Sequence, residues 1–371
     1  MTIDISGLPQ ERIVFEISPL AELGLALHAL SEPGHHPGLH GWATATAASL
    51  KPDLADRLHE ADFLWRTTHS DVLAPFAGLT TCAGAMGKPG TTLKEDLDLL
   101  DRLDDERFVT AALDFTCALT YGDADVLGSA SMRERTLALA ATRGPHVMEA
   151  ATRLLDDPGP VRVWLRRLFE DCDEAFFADA WRRVAPELAA DARHKTELLR
   201  HKGVAEALHA VSPALSVDED LTRITVDKLT TGRTSAVDPD MGVGLTLVPS
   251  SFGWPHLLVL HAPGWRPAIW YPVGAPSPSD PASVELLQRR MEALAHPMRM
   301  RLCRNLARSP HTTSELADAY GITAPEVSRH VAVLKKAGLI STRRRGRYVL
   351  HQLDITAVAR LGSEFLETVL R

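Results

Sequence analysis

Apolar residues recur at helical spacing through most of the first 209 residues of the chain. In one such block Leu165 falls on the apolar face, and Arg162 falls on the face predicted to meet solvent. Thr92 and Glu95 have the spacing of a capping box, in which each side chain satisfies a backbone N–H group at a helix start. The N-terminal half is therefore predicted to be mainly helical. The helical blocks are 19–30, 52–66, 92–103, 107–120, 131–155 and 160–209.

The pattern changes after about residue 217. Short runs rich in Thr, Val and Leu (ITVDKL, GLTLV, HLLVL and AIWYPV) are separated by Gly and Pro, which predicts a small antiparallel sheet. The uncharged stretch 241–265 is interrupted by glycines and prolines that a membrane-spanning helix would not tolerate. We therefore expect buried strands there and no membrane partner.

Two short helices near the C-terminus are marked by repeated capping boxes. Thr312 pairs with Glu315, and Thr323 pairs with Glu326. Gly321 between them suits a left-handed turn that ends the first helix. Two short capped helices joined by a tight turn predict a helix-turn-helix motif.

The second of these helices has one apolar face and one basic, polar face. Val327, Val331 and Leu334 have the i, i+4, i+7 spacing of a buried face. The opposite face suits the major groove of DNA, where an arginine can donate two hydrogen bonds to guanine. The candidate DNA-binding residues on and beside this helix are Thr323, Pro325, Ser328, Arg329, His330, Lys335 and Lys336.

Two strand-like runs flank the sequence RRGR after this helix. They predict a β-hairpin with Arg343, Arg344, Arg345 and Arg347 at its tip. Four arginines on a hairpin are suited to DNA phosphates or the minor groove. The alternative is a solvated hairpin tip with no partner.

Charge separates this region from the rest of the chain. The 371 residues carry a net charge of −8, yet residues 284–371 hold 15 basic and 8 acidic residues, and residues 1–283 hold 25 and 40. A Pro/Ser-rich segment precedes the basic region, which is typical of a linker. The predicted organisation is a helical regulatory domain (1–216), a small β region packed on it (217–273), a linker (274–283) and a winged helix-turn-helix domain (284–371). The fold class is α+β, mostly α.

Residues 286–354, with SELADAYGITAPEVSRHVAVLKKAGLI and RRRGRYVLHQLD, resemble the winged-helix domain of ArsR/SmtB-type transcriptional regulators. The resemblance implies a homodimer, formed through helices near 284–294 and 355–370, that binds a palindromic operator in double-stranded DNA as a repressor. GLTLVPSSFGWPHLLVL and WRPAIWYPVG resemble the segment that precedes this domain in large actinobacterial regulators whose N-terminal domain has no assigned activity.

The sequence predicts no metal or cofactor. Family members that sense metals carry a cysteine pair where this chain has residues 314–318. Upstream, Pro37 and Gly38 separate His36 from His40 and would break a helix between them, so a polar loop is favoured over a metal site. The histidines weighed as ligands are His28, His35, His36 and His40.

The N-terminal region leaves two functional hypotheses open. Four aromatic residues could line a pocket for a small-molecule effector, or they could fill the core, which is favoured. These residues are Trp254, Trp265, Trp270 and Tyr271. Cys303 is interpreted as a packing residue rather than a redox switch. No catalytic motif is evident, so the leading hypothesis is a cytoplasmic regulator that is not an enzyme. The alternative is an enzyme or small-molecule-binding protein that the winged helix targets or autoregulates.

Overall fold

The computed structural model describes residues 1–66, 69–79, 86–113, 127–212, 214–226, 232–239, 242–254, 256–262, 264–273, 284–345, 348–362 and 365. The chain forms two compact units. The first contains Met1–Ser31 and Gly41–Gly274, and the second contains Glu32–His40 and Ala275–Arg371. The predicted linker 274–283 and Arg347 lie outside the described residues.

Helices make up most of the first unit. Their starts follow local rules, because Thr92 and Glu95 form both hydrogen bonds of a capping box. Several other helices begin with proline, which needs no N–H partner in the first turn. The helices are α1 Pro19–Ser31, α2 His40–Ser49, α3 Pro52–Ala61, α4 Leu93–Asp101, α5 Asp105–Ala112, α6 Ala130–Arg143, α7 Pro145–Asp156, α8 Pro158–Cys172, α9 Ala178–Lys202 and α10 Val204–Val211.

Two four-stranded sheets complete the first unit. One has the order β3-β4-β1-β5 and the other β2-β6-β8-β7. Strands of both sheets and helices α9 and α10 contribute to one buried apolar cluster, which includes Ile3, Ile13, Leu199, Leu208 and Ile224. The strands are β1 Thr2–Asp4, β2 Ile13–Phe15, β3 Leu215–Val217, β4 Arg223–Val226, β5 Arg233–Ser235, β6 Leu245–Ser250, β7 Leu258–Leu260 and β8 Ala268–Pro272.

The prediction of one small antiparallel sheet is wrong. Strand β1 is parallel to β5, β2 is parallel to β6, and β6 is parallel to β8. The first 15 residues supply a strand to each sheet, so the β region is not a separate segment after residue 217. Parallel pairing needs long connections, and here the connection between β2 and β6 contains the helices of the first unit and strands β3, β4 and β5.

Arg162 also departs from its prediction. Its side chain is only 10% exposed, and Nη1 donates to the carbonyl oxygens of Leu100 and Leu103 at 2.9 and 2.7 Å. Nη2 donates to Asp105 at 2.8 Å, and the guanidinium lies over the Phe108 ring. Helix periodicity cannot distinguish a solvated arginine from one that satisfies carbonyls at the end of a neighbouring helix.

From residue 284 onward, the described residues of the second unit form five α-helices and a hairpin. Residues 32–40 belong to it, since Thr356 Oγ1 donates to the Gly34 carbonyl at 3.0 Å; the sequence did not predict this. No helix in the described ranges is long and apolar enough to cross a membrane. The elements are α11 Val284–Leu294, α12 Pro297–Arg308, α13 Thr313–Tyr320, α14 Ala324–Lys336, β9 Ile340–Arg345, β10 Tyr348–Leu353 and α15 Ile355–Ala359.

A buried carboxyl joins helix α1 to the turn that follows β6. Glu22 is 1% exposed, and its Oε1 accepts a hydrogen bond from the Ser251 N–H at 2.9 Å. Burial raises the pKa of Glu22 from 4.5 to about 7, although hydrogen bonds from Ser250, Ser251 and Phe252 oppose the shift. The folded protein therefore binds a proton at this carboxyl more readily than the unfolded chain does.

Replacing Glu22 with Gln should flatten the pH dependence of stability. In the parent protein, Glu22 contributes to the free energy of unfolding. This contribution is fully present below pH 4.5 and is lost as the pH rises through about 7. The shift corresponds to at most about 3 kcal/mol. Denaturant unfolding of both proteins between pH 4.5 and 8 measures the effect. Exposed Glu11 offers a control, since Glu11→Gln should keep the parent slope. If the free energy of unfolding depended on pH equally in the parent and in Glu22→Gln, the raised pKa of Glu22 would be contradicted.

Candidate nucleic-acid interface

Helix α14 is fixed in the second unit by one buried face. Val327, Val331 and Leu334 are 0%, 5% and 0% exposed and belong to an apolar cluster with residues of α12 and α13 and of the hairpin. The three side chains have the predicted spacing. Since they fix the rotation of the helix about its axis, the opposite face must point outward.

The turn before α14 is set by local chemistry. Gly321 ends α13 in the left-handed conformation, with φ of 62°. Thr323 Oγ1 accepts from the Glu326 N–H, and Glu326 Oε2 accepts from the Thr323 N–H at 2.9 Å. Thr312 and Glu315 repeat this arrangement at the start of α13. The helix-turn-helix geometry predicted from the two capping boxes is present.

The outward face of α14 carries most of the predicted contact residues. Thr323, although exposed, is already used as the helix cap. Lys335 and Lys336 lie in the last turn, where they also complement the negative end of the helix dipole. The predicted contact residues exposed on this face are Pro325, Ser328, Arg329, Lys335 and Lys336.

His330 is separated from this exposed face. Its half-buried ring lies 4.8 Å, centroid to centroid, from the ring of His296. Burial lowers the pKa of His330, and the neighbouring His296, Arg299 and Arg329 lower it further. A neutral, partly covered imidazole is better suited to packing than to contact with a phosphate.

The hairpin places three of the predicted arginines on an exposed two-stranded ribbon. Arg343, Arg344 and Arg345 pair with Leu350, Val349 and Tyr348, and all three arginines are exposed. Because side chains alternate along a strand, Arg343 and Arg345 share one face of the ribbon and Arg344 lies on the other. The fourth predicted arginine, Arg347, lies outside the described residues.

A buried histidine attaches this hairpin to the helix-turn-helix motif. His351 is 7% exposed, and its ring nitrogens lie 3.4 Å from Thr313 Oγ1 and 3.3 Å from Thr342 Oγ1. Its backbone N–H donates to the carbonyl of His311 at 2.8 Å. Burial lowers the pKa of His351, and Lys335 adds to the effect. The sequence did not predict this role of His351, although its i, i+2 spacing from the buried Leu353 on the same strand is a signal of burial.

The aromatic residues proposed as an effector pocket lie mostly in the core of the first unit. Trp265, Trp270 and Tyr271 are each 1% exposed, whereas Trp254 is half-buried. Tyr271 Oη donates to Asp191 at 2.7 Å. This burial agrees with the core-packing alternative.

Cys303 also has the environment of a packing residue. It is 8% exposed, and burial raises the pKa of its thiol to about 11. The thiol therefore stays protonated near neutral pH, where a reactive cysteine would need the thiolate form.

Comparison with known proteins places most of the chain in one family. The family described as "Family of unknown function (DUF5937)" matches residues 1–277. The chain belongs to the DUF5937 family. The family's description assigns no activity to this region, which includes all of the first unit.

The second unit of this DUF5937 protein matches a different family. A helix-turn-helix domain matches residues 294–343. The transcriptional regulator NmtR of Mycobacterium tuberculosis is 32% identical over 88 residues, which are 24% of this chain and 73% of the relative. The transcriptional repressor SmtB of M. tuberculosis (strain CDC 1551 / Oshkosh) is 35% identical over 78 residues, and the match covers 21% of this chain. The chain spans 58% of the length of SmtB.

Solved structures match the same part of the chain. A homodimeric winged helix-turn-helix DNA-binding domain from Mycobacterium bovis is 26% identical and covers 24% of this chain and 80% of its own, with a TM-score of 0.20. An ArsR family transcriptional regulator is 30% identical and covers 24% of this chain and 95% of its own, with a TM-score of 0.21. The C-terminal domain of this DUF5937 protein is an ArsR-type helix-turn-helix domain.

Removal of the three ribbon arginines should weaken binding to all duplex DNA sequences alike. For Arg343→Ala/Arg344→Ala/Arg345→Ala, we expect the slope of log K against log salt to become shallower by about 1 for each phosphate that is no longer neutralised. Fluorescence anisotropy at several salt concentrations measures this slope. Comparing Arg344→Ala with Arg343→Ala/Arg345→Ala tests the two faces of the ribbon.

A control that removes one positive charge, as Arg344→Ala does, comes from the first unit. The Arg182 side chain is 75% exposed and pairs only with a neighbour on its own helix, Asp179, among the ion pairs seen in the described residues. Arg182→Ala should leave the salt slope unchanged. If the triple variant kept the parent slope as well, the ribbon arginines would not contact phosphates.

Proposed function

We propose that this chain is a sequence-specific DNA-binding transcriptional regulator that acts as a homodimeric repressor. The observation that carries the proposal is the exposed polar face of α14, which the buried Val327, Val331 and Leu334 hold outward in a helix-turn-helix domain. Membership of the domain in the ArsR-type regulators supports the same function. The relatives named above are regulators, and SmtB is a repressor.

Within the interface, the side chains have different roles. Arg329 is exposed on the first half of α14, the part of a recognition helix that contacts base edges in this class of domain. We assign it to a base, because arginine can donate two hydrogen bonds to guanine. Ser328, Lys335 and Lys336 are assigned to phosphates, which position the domain without specifying sequence.

Exposed apolar side chains in the second unit support a homodimer. Met291 on α11 is 48% exposed and Phe365 near the C-terminus is 41% exposed. Both belong to the segments expected to form the dimer interface. Residues 363–364 and 366–370 of the second of these segments lie outside the described residues. A second copy of the chain would cover these apolar groups and would place two α14 helices for a palindromic site.

The DUF5937 domain is assigned a regulatory or dimer-stabilising role. Residues 1–283 carry 25 basic and 40 acidic residues. Because this part of the chain has a net negative charge, it repels DNA, and only the C-terminal domain attracts DNA electrostatically. A small-molecule effector bound here could change DNA affinity only by binding the DNA-bound and free forms differently.

Selection of DNA from a random duplex library by the full-length chain tests the proposal. We expect an inverted repeat whose half-sites are separated by about one helical turn, roughly 34–36 Å, as two symmetric recognition helices require. Arg329→Ala should weaken binding to the selected duplex by about 1–3 kcal/mol and relax the preference at one position of each half-site.

The outcomes separate the parts of the proposal. Arg301, exposed on α12, provides a control, and Arg301→Ala should keep the base preference. An unchanged preference in Arg329→Ala would refute base contact by that residue. A single half-site would contradict the homodimer, and no enrichment above the starting library would contradict specific DNA binding.

A further inference from the structure

Three histidines far apart in the sequence meet inside the first unit. His28 lies on α1, His69 follows the turn after α3, and His256 precedes β7. The ring centroid of His28 is 4.8 Å from that of His69 and 4.9 Å from that of His256. The rings of His69 and His256 are 6.5 Å apart. None of these residues belongs to the interface described above.

The orientation of His28 is fixed by a backbone carbonyl. Its Nδ1 lies 2.7 Å from the carbonyl oxygen of Trp65. Because a carbonyl can only accept, Nδ1 must carry the proton and donate it. In the neutral ring, Nε2 then carries a lone pair. Histidines that bind metals usually have such a partner on the second nitrogen, which sets the tautomer and the ring orientation.

The lone pair of His28 faces a second imidazole nitrogen. His28 Nε2 is 3.2 Å from His256 Nε2. Two nitrogens that each lie about 2.0–2.1 Å from one tetrahedral metal ion are separated by roughly 3.3 Å. The observed separation therefore matches two ligands of a single ion. It also matches an N–H···N hydrogen bond between the two rings. A test of the site must therefore distinguish metal binding from this hydrogen bond.

The three imidazoles are partly or fully shielded from solvent. His28 is 3% exposed, and His69 and His256 are half-buried. His69 makes an edge contact with the ring of Trp270, 5.8 Å away between centroids. A nitrogen-rich, partly desolvated site suits Zn²⁺ and neighbouring first-row ions, whereas Mg²⁺ and Ca²⁺ prefer oxygen ligands.

We propose that His28 and His256, with His69 beside them, form a binding site for a divalent first-row transition metal ion such as Zn²⁺. This site lies in the DUF5937 domain, outside the helix-turn-helix domain. The prediction of no metal rested on His28, His35, His36 and His40 as neighbours in the sequence. His256 is brought next to His28 by the fold, so the sequence spacing of the four histidines could not indicate this pair.

Binding of Co²⁺ to the tag-free full-length chain tests the site directly. We expect one Co²⁺ per chain, with the d–d absorption of a low-symmetry, nitrogen-coordinated ion, and displacement of Co²⁺ by Zn²⁺. His28→Gln and His256→Gln should each abolish this absorption. His69→Gln removes a ring contact with His28 and should weaken Co²⁺ binding less than either of these substitutions. Circular dichroism establishes that each variant is folded.

An exposed histidine provides the matched control. The His201 side chain is 70% exposed, and its Nε2 lies 3.2 Å from Glu197 Oε2, so it represents an adventitious surface ligand. His201→Gln should keep the absorption and the stoichiometry. If His28→Gln fails to fold, His256→Gln on the half-buried loop decides the outcome. No Co²⁺ bound by the parent chain, or the same Co²⁺ spectrum in a folded His256→Gln variant, would overturn the proposal.

Discussion

Burial of one face of helix α14 is the constraint on which the interface depends. Val327, Val331 and Leu334 are almost fully covered, and moving any of them into solvent would forfeit about 1.5–3 kcal/mol of apolar burial. The helix therefore cannot rotate about its axis without giving up its place in the core. This fixes Arg329 outward, and the hairpin follows because Ile340 and Leu353 belong to the same cluster.

The first unit depends on contacts between distant parts of the chain. Strands β1 and β2, from the first 15 residues, pair with strands that begin after residue 222. Polar groups hold α1 in place as well: the buried Asp96 carboxylate accepts from Ser18 Oγ and the Leu20 N–H at 2.8 and 3.0 Å. Such contacts form only after long stretches of chain have been brought together, which costs more loop-closure entropy than a capping box that acts over three residues.

The same difference explains what the sequence could predict. The capping boxes at Thr312 and Thr323 act over three residues, so their pattern predicted the helix-turn-helix motif. Three-residue strands such as β1 and β2 have too little periodicity to be recognised. Arg162 binds Asp105, which is 57 residues away in the sequence. Glu22 is 229 residues from Ser251, and His28 is 228 residues from His256. Nothing in the local pattern around these residues indicates those partners.

We propose that the basic C-terminal domain of this chain recognises a specific DNA sequence. The most direct measurement is a fluorescence-anisotropy titration of the full-length chain with duplex DNA from upstream of its own gene. It should be made at about 0.15 M salt with excess nonspecific competitor, because discrimination among sites rather than affinity alone defines specific binding. If recognition is sequence-specific, the chain will bind this duplex tightly in the presence of the competitor. Specific recognition would be contradicted if the competitor abolished binding to that duplex and to every duplex enriched from a random library.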